Sequence, residues 1–499
     1  MSVTVEGAGT FASLNPATGE VVAEHPVHDD AAVAAALGRA REAAHWWGAL
    51  GWKERRVRLL NVKGSLTRNL GRMAELVHQE TGKPLKDAQL EIIMAVAHLD
   101  WAARNAAKVL GPRSVRPGLM ALNQRCLLEY RPLGVVGVIG PWNYPVLTPM
   151  GSIAYALAAG NAVVFKPSEY TPGVGELLAG IVAGVVPEHP VLQTVTGRGP
   201  TGAALAASPA VDKIAFTGSA RTARRVMAAC AANLTPIVAE CSGKDACLVD
   251  ADADLDAAAD AVLWGAMSNA GQTCIGVERV YVVDEAYEAF LGKLADRARG
   301  LRPGFDREAD YGPITMPAQL DVIERHIGDA LERGGEAVVG GAASVRRPYV
   351  DPVVLTGVPD DAAAVREETF GPTVTVHRVK DLDEAVEKAN ATGYGLAGTV
   401  FSGSRSRALD AARRIRSGMT SINSFASFVQ VAALPFGGVG ESGFGRVHGA
   451  DGLREFARPK AITRQRFATG NLTSFAGTDK DMARVLGLVT LLHGRRHRR

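Results

Sequence analysis

A cysteine, a glutamate and an asparagine stand in three short segments whose neighbours set them apart from ordinary core or surface residues. Cys274 ends Asn-Ala-Gly-Gln-Thr-Cys (269–274), a Gly-containing loop directly after an apolar helical stretch. A thiol beside backbone N–H groups is placed for nucleophilic use: the thiolate is the reactive form, and such donors or positive charge lower a thiol pKa. A lone cysteine is more often an inert buried residue, and that reading suits Cys126, Cys230, Cys241 and Cys247. Glu240 lies in Val-Ala-Glu-Cys-Ser-Gly-Lys (238–244), at the C-terminal end of a run that reads as a buried strand. Its flanks are apolar or small, which argues against a surface salt bridge and for a carboxyl of raised pKa suited to general-base work. Asn143, in Gly-Pro-Trp-Asn-Tyr-Pro (140–145), also follows a strand, and its amide can donate to a developing oxyanion. An Asn this close to a Pro is otherwise a turn residue.

These segments need a scaffold that brings strand ends together, and the chain patterning supplies one. An Ala-rich amphipathic run from Asp30 to Leu50 reads as a helix, with others through Leu110, and Gly111 to Gly118 interrupts them. Short β-branched runs follow: Val135 to Ile139, Ala162 to Phe165, Leu192 to Val195, Ile214 to Phe216 and Pro236 to Ala239. Helical stretches such as Ala220 to Ala232 alternate with them, the pattern of βαβ units in a parallel sheet covered on both faces. Ligand sites in such sheets lie beyond the carboxyl ends of the strands. Two more loops sit there: Phe-Lys-Pro-Ser-Glu (165–169), with a Lys and a Glu for ribose hydroxyls, and Phe-Thr-Gly-Ser (216–219), whose following helix can face a pyrophosphate. A second α/β series runs to about Phe436, with helices predicted over Asp254 to Ala270, Ala318 to Gly334 and Asp383 to Asn390 and a strand over Val280 to Val283.

Composition narrows the class. At 499 residues, 47% apolar and 21% charged, the chain has material for two or three packed units. Five cysteines without a CxxC pair argue against a disulfide framework or structural zinc and for a reducing, cytoplasmic setting. No secretory signal is expected in Met1 to Glu24, nor any spanning segment. Of the net +3, five charges (Arg484, Arg495, Arg496, Arg498, Arg499) belong to the last sixteen residues; removing them leaves −2, so the body offers no electrostatic case for nucleic acid.

Together with Glu-Glu-Thr-Phe-Gly-Pro (367–372) and Leu-Pro-Phe-Gly-Gly (434–438), the five loop segments resemble the aldehyde dehydrogenase superfamily, in its order, from about residue 10 to about 468. The resemblance implies a Rossmann-like dinucleotide-binding domain (1–112 and 132–240), an α/β catalytic domain (241–436), small β bridging segments for oligomerisation (113–131 and 455–469) and a tail (470–499). It implies that Cys274 attacks an aldehyde, that Asn143 and the Cys274 N–H hold the oxyanion, and that hydride leaves to a nicotinamide. Glu240, 34 residues before the nucleophile, would then activate the water that hydrolyses the thioester. By the same resemblance Lys166 and Glu169 bind the adenosine ribose, Trp142, Gly218 and Ser219 the diphosphate or adenosine region, and Glu368 and Phe370 the nicotinamide riboside. A carboxylate at Glu169 repels a 2′-phosphate, so NAD is expected, with NADP also used by some relatives. No metal is implied. A CoA-acylating relative would lack the Glu and a non-catalytic scaffold would lose the Cys or the Glu; both residues are present.

Three departures stand out: Ala223 where a second Gly is common, Cys241-Ser242 in place of Leu-Gly, and Gly151 eight residues after Asn143, where relatives carry Arg or Trp. Cys241 is either a redox partner of Cys274 or a buried replacement for Leu. Gly151 offers neither charge nor bulk, so an open entrance is expected, with Leu147, Ile275, Phe425, Phe428 and Phe436 forming an apolar tunnel. That favours an aliphatic or aromatic aldehyde over succinic semialdehyde. The family forms homodimers or homotetramers, through segments matching Met120 to Arg131 and Pro459 to Phe467. In the tail, Met482, Val485, Leu486, Leu488, Val489 and Leu492 recur at helical spacing before a basic end. A helix over 480–493 would span about 21 Å, short of the roughly 30 Å hydrocarbon layer. It is therefore either a peripheral membrane contact or a helix packed on a neighbouring subunit.

Overall fold

The computed structural model describes residues 6–7, 9–118, 121–468 and 474–494. Four helices come early: Asp30–Ala49, Trp52–Arg68, Leu70–Thr81 and Leu85–Leu110. The first starts at Asp29, whose carboxylate accepts from Ala32 N at 2.8 Å, and buries Val33, Ala36, Leu37, Ala40 and Trp47 at helical spacing.

Two large sheets follow. The first has the spatial order Gly443–Phe444, Ile237–Glu240, Lys213–Thr217, Val135–Ile139, Ala162–Lys166, Leu192–Thr194. All but the short Gly443–Phe444 strand run parallel. The β-branched runs therefore form the strands expected of them, with ends within about a residue of expectation. Their continuous burial follows from helices on both faces. The second sheet holds seven strands, in the order Glu336–Val339, Val353–Thr356, Thr373–Val379, Val277–Val283, Asp245–Val249, Ala397–Phe401, Met419–Ile422. Apart from the antiparallel edge strand Glu336–Val339 it too is parallel. Val280, Val282, Phe290, Ile323, Val353 and Val376 pack its larger core.

Beyond the second α/β series, Gly443–Phe444 returns to the first sheet and pairs antiparallel with the Glu240 strand, Glu240 opposite Gly443. One expectation is corrected. The helix expected to reach Ala270 ends at Met267, because Asn269 and Ala270 adopt left-handed φ of 53° and 55°.

Met1–Leu110 with Pro132–Arg458 form one compact unit, and Gly111–Arg131 with Pro459–Arg499 a second. The second carries strands Arg113–Val115, Gln124–Pro132 and Ala457–Gln465 in one sheet and the tail helix Asp479–His493. That helix opens with a capping box between Thr478 and Asp481 and leaves Met482, Leu486, Leu488 and Leu491 exposed. No described helix is long and apolar enough to cross a membrane. Met120 and the basic run Arg495–Arg499 lie outside the described residues.

Candidate active site

The Cys274 loop is built by three consecutive residues of positive φ, Asn269, Ala270 and Gly271. Only at Gly271 is a side chain sterically impossible: a Cβ there would fall 2.0 Å from the Gly371 carbonyl oxygen. The loop is tied down by its own amides. Asn269 Nδ2 donates to the Asn143 and Gln272 carbonyls, both at 3.1 Å, and Gln272 Oε1 accepts from Thr315 N at 2.8 Å. The Cys274 thiol does not have the lowered pKa expected for it. Burial, with the carboxylates of Glu368, Asp245 and Glu240, pushes it up, and the Ile275 N–H is the donor that opposes them. The resting side chain is a neutral thiol.

Glu240 ends its strand, in register with Thr217 on one side. The residue is 5% exposed and neither carboxylate oxygen has a hydrogen-bond partner among the described residues. Burial raises its pKa well above the ordinary carboxyl value, and Arg446 only partly opposes this. Space for the carboxylate comes from Gly437, where a Cβ would lie 2.8 Å from Oε1. The first glycine of the pair in 434–438 thus makes room for the Glu240 carboxyl.

Asn143 is buried, and its Nδ2 donates to the Gln272 carbonyl at 2.9 Å, two residues before the sulfur. The loop that carries it is held by a buried ion pair that sequence patterning gave no hint of. Lys83 Nζ lies 2.9 Å from Glu91 Oε2, donates to the Asn143 carbonyl at 2.6 Å and sits 4.2 Å from the Tyr144 ring centroid. Glu91 Oε1 accepts from Val146 N at 2.7 Å and Leu147 N at 3.1 Å. Tyr144 in turn shares a 2.9 Å hydrogen bond with Thr273, next to Cys274.

Cys274 and Glu240 line one cavity of about 470 Å³. Tyr144, Leu147, Thr273, Ile275, Phe425, Phe436 and Cys241 share its wall, and the half-exposed Leu90 and Trp264 stand at its rim. Asn143 does not line the cavity; its amide is bonded to the Cys274 loop at the Gln272 carbonyl. Phe428 is not in the wall; it packs on Phe436, ring centroids 6.4 Å apart. The opening expected at Gly151 is filled. A Cβ on that residue would fall 2.6 Å from His448 Nε2, so the imidazole occupies the space its missing side chain leaves. Cys241 is 5% exposed, which suits a packing role; burial with Glu240 beside it pushes its thiol up to about 12.

The remaining predicted residues gather at the strand ends of the first sheet and across from them. Lys166 is 5% exposed, its Nζ 3.8 Å from Glu169 Oε2 and donating to the Pro167 carbonyl at 2.9 Å. Gly218 N donates to the Glu240 carbonyl at 3.1 Å, and Ser219 caps helix Ala220–Ala231 by accepting from Thr222 N. The Trp142 ring meets Phe370 edge-on at 5.6 Å and Tyr170 at 6.4 Å. Phe370 has φ 51°, held by Glu278, whose carboxylate accepts from Thr369 N and Phe370 N and pairs with buried Lys244. Glu368 accepts from Gly243 N at 3.2 Å, and burial pushes its carboxyl up to about 8. A buried lysine near a carboxylate, a helix N-terminus and an aromatic edge make a set of groups that fits a dinucleotide.

Comparison with known proteins shows the family. The model of the aldehyde dehydrogenase family matches residues 3–462. A 4,4′-diapolycopene aldehyde oxidase of Methylomonas sp. is 38% identical over 453 residues, covering 90% of this chain and 85% of that protein. A protein of Mycobacterium tuberculosis, provisionally named succinate-semialdehyde dehydrogenase (NADP(+)) 2, is 35% identical over 460 residues, covering 90% and 87%. Among solved structures, lactaldehyde dehydrogenase from Escherichia coli superposes with a TM-score of 0.87 at 30% identity, covering 92% of this chain and 97% of that one. The fold is that of these enzymes, and the chain belongs to the aldehyde dehydrogenase family.

Proposed function

We propose that the protein oxidises an aldehyde to its carboxylic acid with NAD, through a thiohemiacetal and then a thioester on Cys274. The observation that carries this reading is the shared cavity of Cys274 and Glu240, with Asn143 bonded to the loop of the nucleophile. The Cys274 sulfur attacks the carbonyl carbon, and its proton leaves to solvent, directly or by way of Glu240, which passes it on and is ionised again before hydrolysis. Asn143 keeps a second amide N–H for the oxygen that becomes negative. Lys166 and Glu169 would hold the adenosine ribose of a bound dinucleotide, the N-terminus of helix Ala220–Ala231 its diphosphate, and Glu368 with Phe370 its nicotinamide end; the group would supply the hydride acceptor. Glu240, buried and unpaired, then takes a proton from the water that cleaves the thioester. NADH formation at 340 nm with a panel of aldehydes, each with and without CoA and with NAD or NADP, tests this; turnover that requires CoA would replace hydrolysis by acyl transfer.

The substrate we propose has an apolar body. The names of the two curated relatives divide between a diapolycopene aldehyde and succinic semialdehyde. The cavity chemistry favours the former kind of recognition. Asp87, Glu91, Glu240 and Asp260 line it, and Lys83, the one Lys or Arg among the described lining residues, is engaged by Glu91, Asn143 and Tyr144. A substrate carboxylate meets no free cation there. Decanal is expected to exceed succinic semialdehyde in kcat/KM by about 100-fold, the penalty for burying an unpaired charge. A preference for the semialdehyde would end the apolar reading.

Lys83 and Glu91 act as positioning residues for the Asn143 loop. The double variant Lys83→Met/Glu91→Gln removes both charges yet keeps an acceptor for Val146 N and Leu147 N. Its kcat should fall about tenfold with KM little changed, since a loosened amide weakens transition-state contacts more than substrate binding. Equal changes in both constants would mark a merely structural role.

We further propose that the chain forms homodimers or homotetramers, on the support of the strand Ala457–Gln465, exposed along nearly its whole length. The exposed apolar residues of Asp479–His493, followed by four arginines in sequence, support a peripheral membrane contact. Co-sedimentation with anionic liposomes of the full chain, and of one ending at Gly477, separates the two roles of the tail.

A further inference from the structure

The imidazole of His448 lines the cavity and has no part in acyl transfer. The residue is 6% exposed, yet no described residue hydrogen-bonds its ring, whose interactions are burial and the neighbouring His98. The ring of His98 stacks on it at 3.7 Å between centroids, with Nε2 3.1 Å from the Val429 carbonyl and Nδ1 sealed off without a partner. The His448 nitrogens are not sealed off in that way; the ring lines open space. A buried polar group without a protein partner is costly, on the order of 1–3 kcal/mol, unless something else supplies the bond.

The imidazole is held in place rather than left to drift. Gly151 gives it room, Phe436 and Tyr155 flank it at 5.5 and 5.8 Å, and the backbone is turned by φ of 63° at His448 and 60° at Gly449. Tyr155 Oη accepts from Gly449 N at 3.2 Å and fixes that turn. Burial keeps the ring neutral, its pKa well below the ordinary value, so it presents one N–H donor and one lone pair. Neutral imidazole does not pair a carboxylate as a cation would, and Asp87 and Asp260 in the same wall repel one.

We propose that His448, seated in the space left by Gly151, hydrogen-bonds a neutral oxygen, a hydroxyl or keto group, borne on the otherwise apolar body of the aldehyde substrate. The position is a specificity-determining one, and it deepens the aldehyde-oxidising reading on which it rests. The ligand class follows from the wall: hydrocarbon surface from Leu147, Ile275, Phe425 and Phe436, with the uncharged imidazole, which no described residue hydrogen-bonds, set beside it.

The test is a length series of straight-chain aldehydes and their hydroxyl- and keto-bearing counterparts, assayed by NADH formation. The wild type should prefer the oxygenated member at one position of the series by about tenfold in kcat/KM, carried mainly by KM. In His448→Leu that ratio should collapse towards one, and His448→Gln, which keeps a donor and an acceptor, should restore part of it. Gly151→Ala provides an independent route, because its Cβ displaces the ring without removing it, and it should lower the same ratio. An unchanged ratio in His448→Leu and Gly151→Ala, or no preference at any position in the wild type, overturns the assignment while oxidation of plain aldehydes leaves the broader reading standing. Absence of NADH from every aldehyde overturns both.

Discussion

Cys274→Ala should abolish NADH formation from every aldehyde, a fall of at least about 10⁴-fold in kcat. No other group in the cavity can replace the sulfur. Cys241 shares the wall, but its place is beside Glu240 and not on the loop that Asn143 is bonded to. Cys241→Ala should therefore keep turning over while Cys274→Ala does not. NAD affinity, measured by calorimetry, should be unchanged in Cys274→Ala, because Lys166, Glu169, Ser219 and Glu368, the residues proposed to hold the dinucleotide, are untouched. A catalytically active Cys274→Ala protein would sink the mechanism outright. The raised thiol pKa adds a sign. The thiolate is the attacking form and is scarce at neutral pH, so kcat/KM should climb as pH rises across the accessible alkaline range.

The architecture behind that prediction is legible in the sequence where local chemistry decides structure. Val135–Ile139 is a β-branched run bounded by Gly134 and Gly140, and buried parallel strands use such runs, so both ends can be read directly. Glu240 and the Lys166 loop are legible for the same reason: each closes such a run, where ligand sites form. Legibility fails where a partner distant in sequence sets the conformation. Apolar patterning carries the helix before Cys274 on to Ala270, but the Gly371 carbonyl occupies the space beside Gly271 and the helix stops at Met267. Lys83 and Glu91 are eight residues apart across a helix start, a spacing that signals nothing, and their shared target is a loop some fifty residues away. Gly151 is the clearest case. A missing side chain reads locally as open space, yet His448, nearly three hundred residues later and beyond the last recognisable segment, fills it. Sequence could have offered one signal: a histidine followed by Gly449 in a segment adjoining Leu-Pro-Phe-Gly-Gly.

Glu240→Gln should separate the two halves of the reaction. The amide is nearly isosteric but cannot take a proton from water, so steady-state turnover should fall by about 10²–10⁴-fold. Acylation does not need that base if the thiol proton can leave to solvent, so a rapid-quench experiment should show a burst of about one NADH per subunit followed by a stall. Hydroxylamine, a nucleophile that needs no base, should relieve the stall. Loss of the burst in parallel with turnover would instead assign Glu240 to the thiol. In the wild type the deacylation limb of kcat should rise with pH through the raised carboxyl pKa, since only the ionised form is a base, and Glu240→Gln should lack this limb. The same shift has a stability consequence of opposite direction. A carboxyl whose folded pKa lies above its unfolded value binds its proton more tightly in the native state, so the wild type loses stability as pH rises from about 4.5 through the folded value. The amide carries no such penalty. Glu240→Gln should match the wild type in Tm at low pH and exceed it by about 2 °C or more near neutrality. A variant that is less stable at every pH would mean that the carboxylate has a partner in solution, and the argument for an unpaired base would fail with it.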